Sequence, residues 1–240
     1  MKEYIMNRVI WVLVLLSSLI LASCDTYKIK DGKVYFVHFN EGTGYSLELI
    51  PEADAKTFVE LDNRFGHDAK HAWYENALLK GINGASFHTL GHWYATDDSL
   101  VFRADQQVEG ADPSTFVVHT HYFAEDSNDY YWEAQPLHVA DKASFVLMGD
   151  SDDFMTHWAK DSLYAYFLQG NHVCSTPRMK IADYESFRPI NAKENSGYFA
   201  VDKYQVYFMD TIVVGADPAT FQEVEYFRGK DKDRTYHLRP

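Results

Sequence analysis

Gly110-Ala111-Asp112-Pro113-Ser114-Thr115-Phe116 recurs almost unchanged as Gly215-Ala216-Asp217-Pro218-Ala219-Thr220-Phe221. Weaker copies of its core, Asp/Asn-x-x-Ser/Thr-Phe, stand at Asp54–Phe58, Asn83–Phe87, Asp141–Phe145 and Asp183–Phe187. Phe58, Phe87, Phe116 and Phe145 lie 29 residues apart, a period that marks a tandem array in which neighbouring units share a core. Within a copy, glycine closes a strand and the Asp side chain accepts free N–H groups at the start of a helical turn. Proline suits the first position of that turn, where its missing donor is not needed. The phenylalanine then plugs the turn into the core.

A second column of aspartates, Asp31, Asp68, Asp97, Asp126, Asp161, Asp202 and Asp231, follows short aromatic-led segments such as Tyr94-Ala95-Thr96. Five residues beyond each comes an aromatic: Phe36, Trp73, Phe102, Tyr131, Tyr166, Tyr207 or Tyr236. Such an aspartate joins two short strands and bonds its own backbone in an Asx-turn. Aromatic-rich runs punctuated by Asp, Asn and Gly favour strands. The fold expected is all-β: a tandem array of short β-hairpin repeats with one helical turn per repeat, solenoid-like, with a small-bladed β-propeller as the alternative. Both aspartate columns are expected to be structural.

A net charge of −13 over 240 residues argues against nucleic-acid binding, since phosphate recognition needs a basic face, so no nucleic-acid partner is expected. Among the eleven histidines, His119 and His121 alternate along a predicted strand and would share one face. However, His119 falls in a column otherwise apolar (Leu61, Leu90, Met148, Ile190, Val224), which predicts a buried, hydrogen-bonded ring. His67 and His71 straddle a predicted turn, and Asp150-Ser151-Asp152-Asp153 lacks the glycine and distant glutamate of a calcium loop. No metal site, cofactor or catalytic residue is therefore expected, and no phosphate loop, nucleophile elbow or Cys-x-x-Cys occurs. Cys174, beside His172, reads as an inert thiol.

Spacing supplies a further signal. The stretch from second aspartate to phenylalanine takes 19 residues in regular units but lengthens around His38–Tyr45 and Gln169–Arg178. The stretch from phenylalanine to the next aspartate takes 10, but lengthens around Gly149–Met155 and Asn191–Gly197. Insertions that leave the repeat columns in register are expected as loops on a binding face.

The chain opens with Lys2 and Arg8, an apolar run from Val9 to Leu21, then Ala22-Ser23-Cys24. A run this short is a secretory signal rather than a membrane span, and its ending resembles the bacterial lipoprotein box. That resemblance implies a lipoprotein signal peptide over residues 1–23 and lipid on Cys24. Residues 24–240 then form a single repeat domain, of about six units plus a partial C-terminal one.

Ala200-Val201-Asp202-Lys203-Tyr204-Gln205-Val206-Tyr207 followed by Gly215–Phe221, together with Glu125-Asp126-Ser127-Asn128-Asp129-Tyr130-Tyr131-Trp132, resembles the DKNYW repeat family of bacterial envelope lipoproteins. The likeness covers nearly all of the chain after the leader and carries over no catalytic activity. It implies an exported protein of the cell envelope, lipid-anchored to a membrane, the outer one favoured. The function expected is that of a non-catalytic repeat scaffold that binds a protein or a glycan. Two alternatives stand beside it: an envelope glycan hydrolase with carboxylates such as Asp152 and Glu194 on the inserted loops, and a purely structural spacer.

Overall fold

The computed structural model describes residues 26–148, 156–169, 178–190 and 197–239. They form seven small antiparallel sheets, I (27–49), II (59–79), III (88–107), IV (117–136), V (146–180), VI (188–212) and VII (222–237), each a simple meander in chain order. Sheet IV is typical: Val117–Val118, Phe123–Glu125, Tyr130–Trp132 and Gln135–Pro136 serve as strands a, b, c and d. Sheet I holds the b, c and d positions (Tyr27–Lys30, Lys33–Asn40, Gly44–Leu49), and sheet VII holds a, b and c (Gln222–Glu225, Arg228–Lys230, Thr235–His237). No helix among the described residues is long and apolar enough to cross a membrane.

Each sheet is too small to bury both faces alone, so the core lies between consecutive sheets. Tyr27, Phe36 and Trp73 join I to II; Phe65, Phe87 and Phe102 join II to III; Tyr94, Phe116 and Tyr131 join III to IV. Phe123, Trp132 and Tyr166 continue between IV and V, and Trp158, Phe187, Phe199, Tyr207 and Phe221 run through V, VI and VII. In sheets II to VII the b strand places a small buried residue directly opposite the c-strand aromatic: Gly66 opposite Trp73, Ala95 opposite Phe102, Ala124 opposite Tyr131, Ala159 opposite Tyr166, Ala200 opposite Tyr207, Gly229 opposite Tyr236; in sheet I Tyr27 takes this place, opposite Phe36. The reason is the phenylalanine plug. A Cβ added to Gly66 would stand 2.5 Å from the Phe58 ring, and one on Gly229 would overlap Phe221.

The helical turns are real but minimal. Each closes through an i to i+3 bond such as Thr115 N–H to Asp112 O at 3.2 Å, and only Lys142–Ser144 extends to a 3-10 helix. Two expectations need correction. Asp31 is not an Asx-turn residue: Lys30 pairs with Lys33 across a two-residue turn in which Asp31 and Gly32 both have positive φ (51° and 71°). That is the type I′ hairpin favoured by Asp-Gly. The surplus at His38–Tyr45 is not a loop but strand, an extension of the c–d hairpin of sheet I tipped by residues 41–43.

Candidate functional site

The aspartates define one end of every sheet. In sheet IV, Asp126 Oδ1 accepts the N–H groups of Asn128 and Asp129 (2.7 and 2.8 Å), the expected Asx-turn between strands b and c. Its Oδ2 accepts the N–H of Asp112 (2.7 Å) and the Tyr131 hydroxyl (2.8 Å), so this carboxylate also ties its turn to the linker before it. Thr115 Oγ1 completes the joint by accepting the Ser127 N–H at 3.1 Å. The same joint recurs around Asp161, Asp202 and Asp231 with Tyr166, Tyr207 and Tyr236, and around Asp68 and Asp97 without the tyrosine. Burial pushes the carboxyls of Asp68, Asp97, Asp126 and Asp161 up, but the converging donors outweigh it and hold all four below the usual carboxylate range. These groups are fully occupied as acceptors, which suits joints rather than acids or bases.

The opposite end carries the a–b and c–d connections. There Tyr27 donates its hydroxyl to the carbonyls of Arg64 and Glu75, Tyr94 to that of Glu133, and Trp158 Nε1–H to that of Gly197. The extended hairpin at 38–45 belongs to this end, as the c–d connection of sheet I; the other three spacing surpluses, at 149–155, 170–177 and 191–196, lie outside the described residues.

A groove of about 390 Å³ opens between sheets IV and V, lined by His119, Phe123, Glu125, Tyr130, Phe145 and Leu147. Its rings lie nearly parallel. Tyr130 and Phe145 stack at 4.3 Å and 19°, Phe123 and Tyr130 at 5.5 Å and 11°, and His119 lies over Phe123 at 5.6 Å and 26°. Phe145, like Phe58 but unlike the buried Phe87, Phe116, Phe187 and Phe221, is only half-buried. At the polar wall, Glu125 meets His119 Nε2 at 3.0 Å and Lys142 Nζ at 3.3 Å. Burial raises the Glu125 carboxyl, the hydrogen bonds from His119 and Lys142 lower it more, and the net position is below the usual range. Lys142 also donates to the Asp126 carbonyl and lies 4.7 Å from the Tyr130 ring centroid.

His119 is therefore hydrogen-bonded as expected but not buried. Its side chain is 39% exposed, because strand a of sheet IV ends at Val118 and the ring turns outward. For the same reason His119 and His121 do not share a face: His121 packs on His92 and Trp93 of sheet III, with ring centroids 4.4 and 5.3 Å away. His67 ends one strand and His71 precedes the next across the Asp68 turn. Among the described residues no group of three or more His, Cys, Asp or Glu is placed to hold a metal ion. Cys24, Asp150, Asp152, Asp153, His172, Cys174 and Glu194 lie outside the described residues. In the sequence only His119, which breaks an apolar column, marked the groove; Glu125 and Lys142 stand at positions that are polar or variable in the other copies and gave no signal.

No curated protein and no solved structure matches the chain. The sequence profile of the DKNYY family matches twice, over residues 4–106 and 94–239, which agrees with the repeat resemblance and spans most of the seven-sheet array; the chain belongs to the DKNYY family.

Proposed function

We propose that this repeat protein is a non-catalytic recognition scaffold of the bacterial cell envelope, anchored by lipid on Cys24, and that its groove between sheets IV and V takes a glycan. One observation carries the choice of ligand: His119, which breaks an otherwise apolar column, meets Glu125, itself paired with the sequence-distant Lys142, at one groove already walled by parallel aromatic rings. Departures from an otherwise consistent pattern are where function is expected. A pyranose ring presents an apolar face to aromatic rings and hydroxyls to a carboxylate, an imidazole and an ammonium, and the groove offers both walls. Among the described residues Glu125 is the single carboxylate in the lining, whereas glycoside hydrolysis ordinarily uses a pair; this supports binding over hydrolysis.

Glu125→Gln should weaken binding of a glycan identified on an array by about tenfold, as expected for loss of one charge-assisted hydrogen bond, and leave the melting midpoint within a few degrees. Calorimetric titration of both proteins reads this directly. Array binding that Glu125→Gln leaves unchanged moves the site elsewhere, turnover of the glycan revives the hydrolase, and silence on the array leaves the structural spacer.

Anchoring has its own test. Cys24→Ser should move the processed protein from the membrane to the soluble fraction, because a lone apolar face or a few basic residues hold far less firmly than acyl chains. A processed Cys24→Ser protein that stays with the membrane as firmly as wild type refutes the anchor.

A further inference from the structure

The outer face of sheet I differs from the rest of this acidic molecule. Pairing places Lys28 opposite Tyr35, Lys30 opposite Lys33, Tyr35 opposite Leu49, Val37 opposite Leu47, and Phe39 opposite Tyr45. Directly opposed residues and their i+2 neighbours share a face, so these nine side chains form one surface. The other face holds Tyr27, Val34 and Phe36, buried against Trp73 of sheet II, and Glu48, bonded to Asn76. The nine-residue surface therefore looks away from the array. Phe39 and Tyr45 are 64% and 70% exposed with their rings 5.0 Å apart, Leu47 and Leu49 are over two-fifths exposed, and all three lysines are exposed. Its nine positions hold three lysines and no acid, in a chain of net charge −13.

A terminal unit of a repeat array normally turns a polar face outward to stay soluble. This one turns outward an apolar, aromatic and basic face. It also begins three residues after Cys24, a distance of at most about 11 Å even when fully extended. We propose that this face docks on an anionic bilayer surface, Lys28, Lys30 and Lys33 meeting lipid phosphates while Phe39, Tyr45, Leu47 and Leu49 enter the boundary between headgroups and acyl chains. Tyrosine and phenylalanine beside lysine stems are the side chains suited to that boundary. The inference deepens the anchoring at Cys24 on which it rests: lipid would hold the chain to the membrane, and the sheet would fix its orientation, with the array rising from the surface and the groove clear of it.

The chain from Asp25 onward keeps all seven sheets and all five buried clusters, and it carries no lipid. It should co-sediment with vesicles of phosphatidylglycerol and phosphatidylcholine, and bind at least tenfold more weakly to phosphatidylcholine alone. Binding should fall as salt rises. Replacing Lys28, Lys30 and Lys33 together by Glu should weaken it on the order of a hundredfold, and Phe39→Ser with Tyr45→Ser about tenfold, without a change in melting midpoint since all five side chains are exposed. Equal binding to both vesicle types, no binding to either, or variants that bind as wild type overturn the proposal. A concentration-dependent dimer in sedimentation velocity that Phe39→Ser abolishes assigns the face to a second copy instead. Because this protein lacks the acyl group, failure here leaves the Cys24→Ser fractionation result untouched, and the converse also holds.

Discussion

Asp161→Ala should lower the unfolding free energy by roughly 4 kcal/mol or more, since buried donors stripped of their acceptor cost about 1–3 kcal/mol each. The side chain is fully buried and accepts five donors: the N–H groups of Ala140 (2.9 Å), Asp141 (3.1 Å), Leu163 (2.8 Å) and Tyr164 (2.7 Å), and the Tyr166 hydroxyl (2.5 Å). Removing it orphans the N–H groups of Asp141, Leu163 and Tyr164 and the Tyr166 hydroxyl, leaves the Ala140 N–H only its 3.2 Å bond to the Tyr166 hydroxyl oxygen, and cuts the linker between sheets IV and V from the turn it is tied to. Asp112→Ala should be much milder, because that side chain caps an exposed turn through Ser114 and Thr115, where water replaces the lost acceptor. Denaturant melts of the two variants compare them directly; a loss below 1 kcal/mol for Asp161→Ala, or equal losses for both, sinks the joint.

The same carboxylates set the acid limit. The folded-state positions of Asp68, Asp97, Asp126 and Asp161 are depressed, and the unfolded carboxyl titrates near about 3.9. Their contribution is therefore fully present above that value and is lost as pH falls through the lower folded positions. Melting midpoints should hold from neutrality to about pH 5 and then fall steeply, and Asp161→Ala should show a shallower fall than wild type.

Much of this joint was legible. The aspartate columns, their aromatic partners five residues on and the phenylalanine plugs follow from turn chemistry and a fixed period, both local properties. What the local reading could not supply was the coupling between the columns. Asp54 to Asp68, Asn83 to Asp97, Asp112 to Asp126 and Asp217 to Asp231 are each 14 residues apart, and that constancy is the trace of the long-range bond. The Gly66, Ala95, Ala124, Ala159, Ala200 and Gly229 column was equally visible as small residues two before each aspartate. It was missed because a small residue signals a close approach only once its neighbour is known. The groove is a different case: His119, Glu125 and Lys142 belong to three different columns, so no single period could bring them together. His119 was misjudged because the column position was trusted over the end of its strand.

Phe116→Ala should cost about 3–5 kcal/mol, the range for deleting a buried ring and leaving its cavity. The ring is 8% exposed, between Tyr94 of sheet III and Tyr131 of sheet IV at 5.7 and 5.3 Å, against the buried Ala124. Its position makes the consequence more than a uniform loss. In a tandem array each unit is stabilised mainly by its neighbours, so weakening one interface divides the cooperative block. Sheets I–III and IV–VII should then unfold at separate temperatures, and calorimetry should resolve two transitions where wild type shows fewer. Phe145→Ala is the informative control. Its ring is half-buried, lines the open groove and stacks on Tyr130 rather than being enclosed, so it should cost distinctly less while weakening ligand binding. A single sharp transition for Phe116→Ala with a loss under 1 kcal/mol would mean that the phenylalanines decorate the repeats rather than couple them. Equal costs at Phe116 and Phe145 would remove the reason for treating the fourth copy as the one opened for recognition.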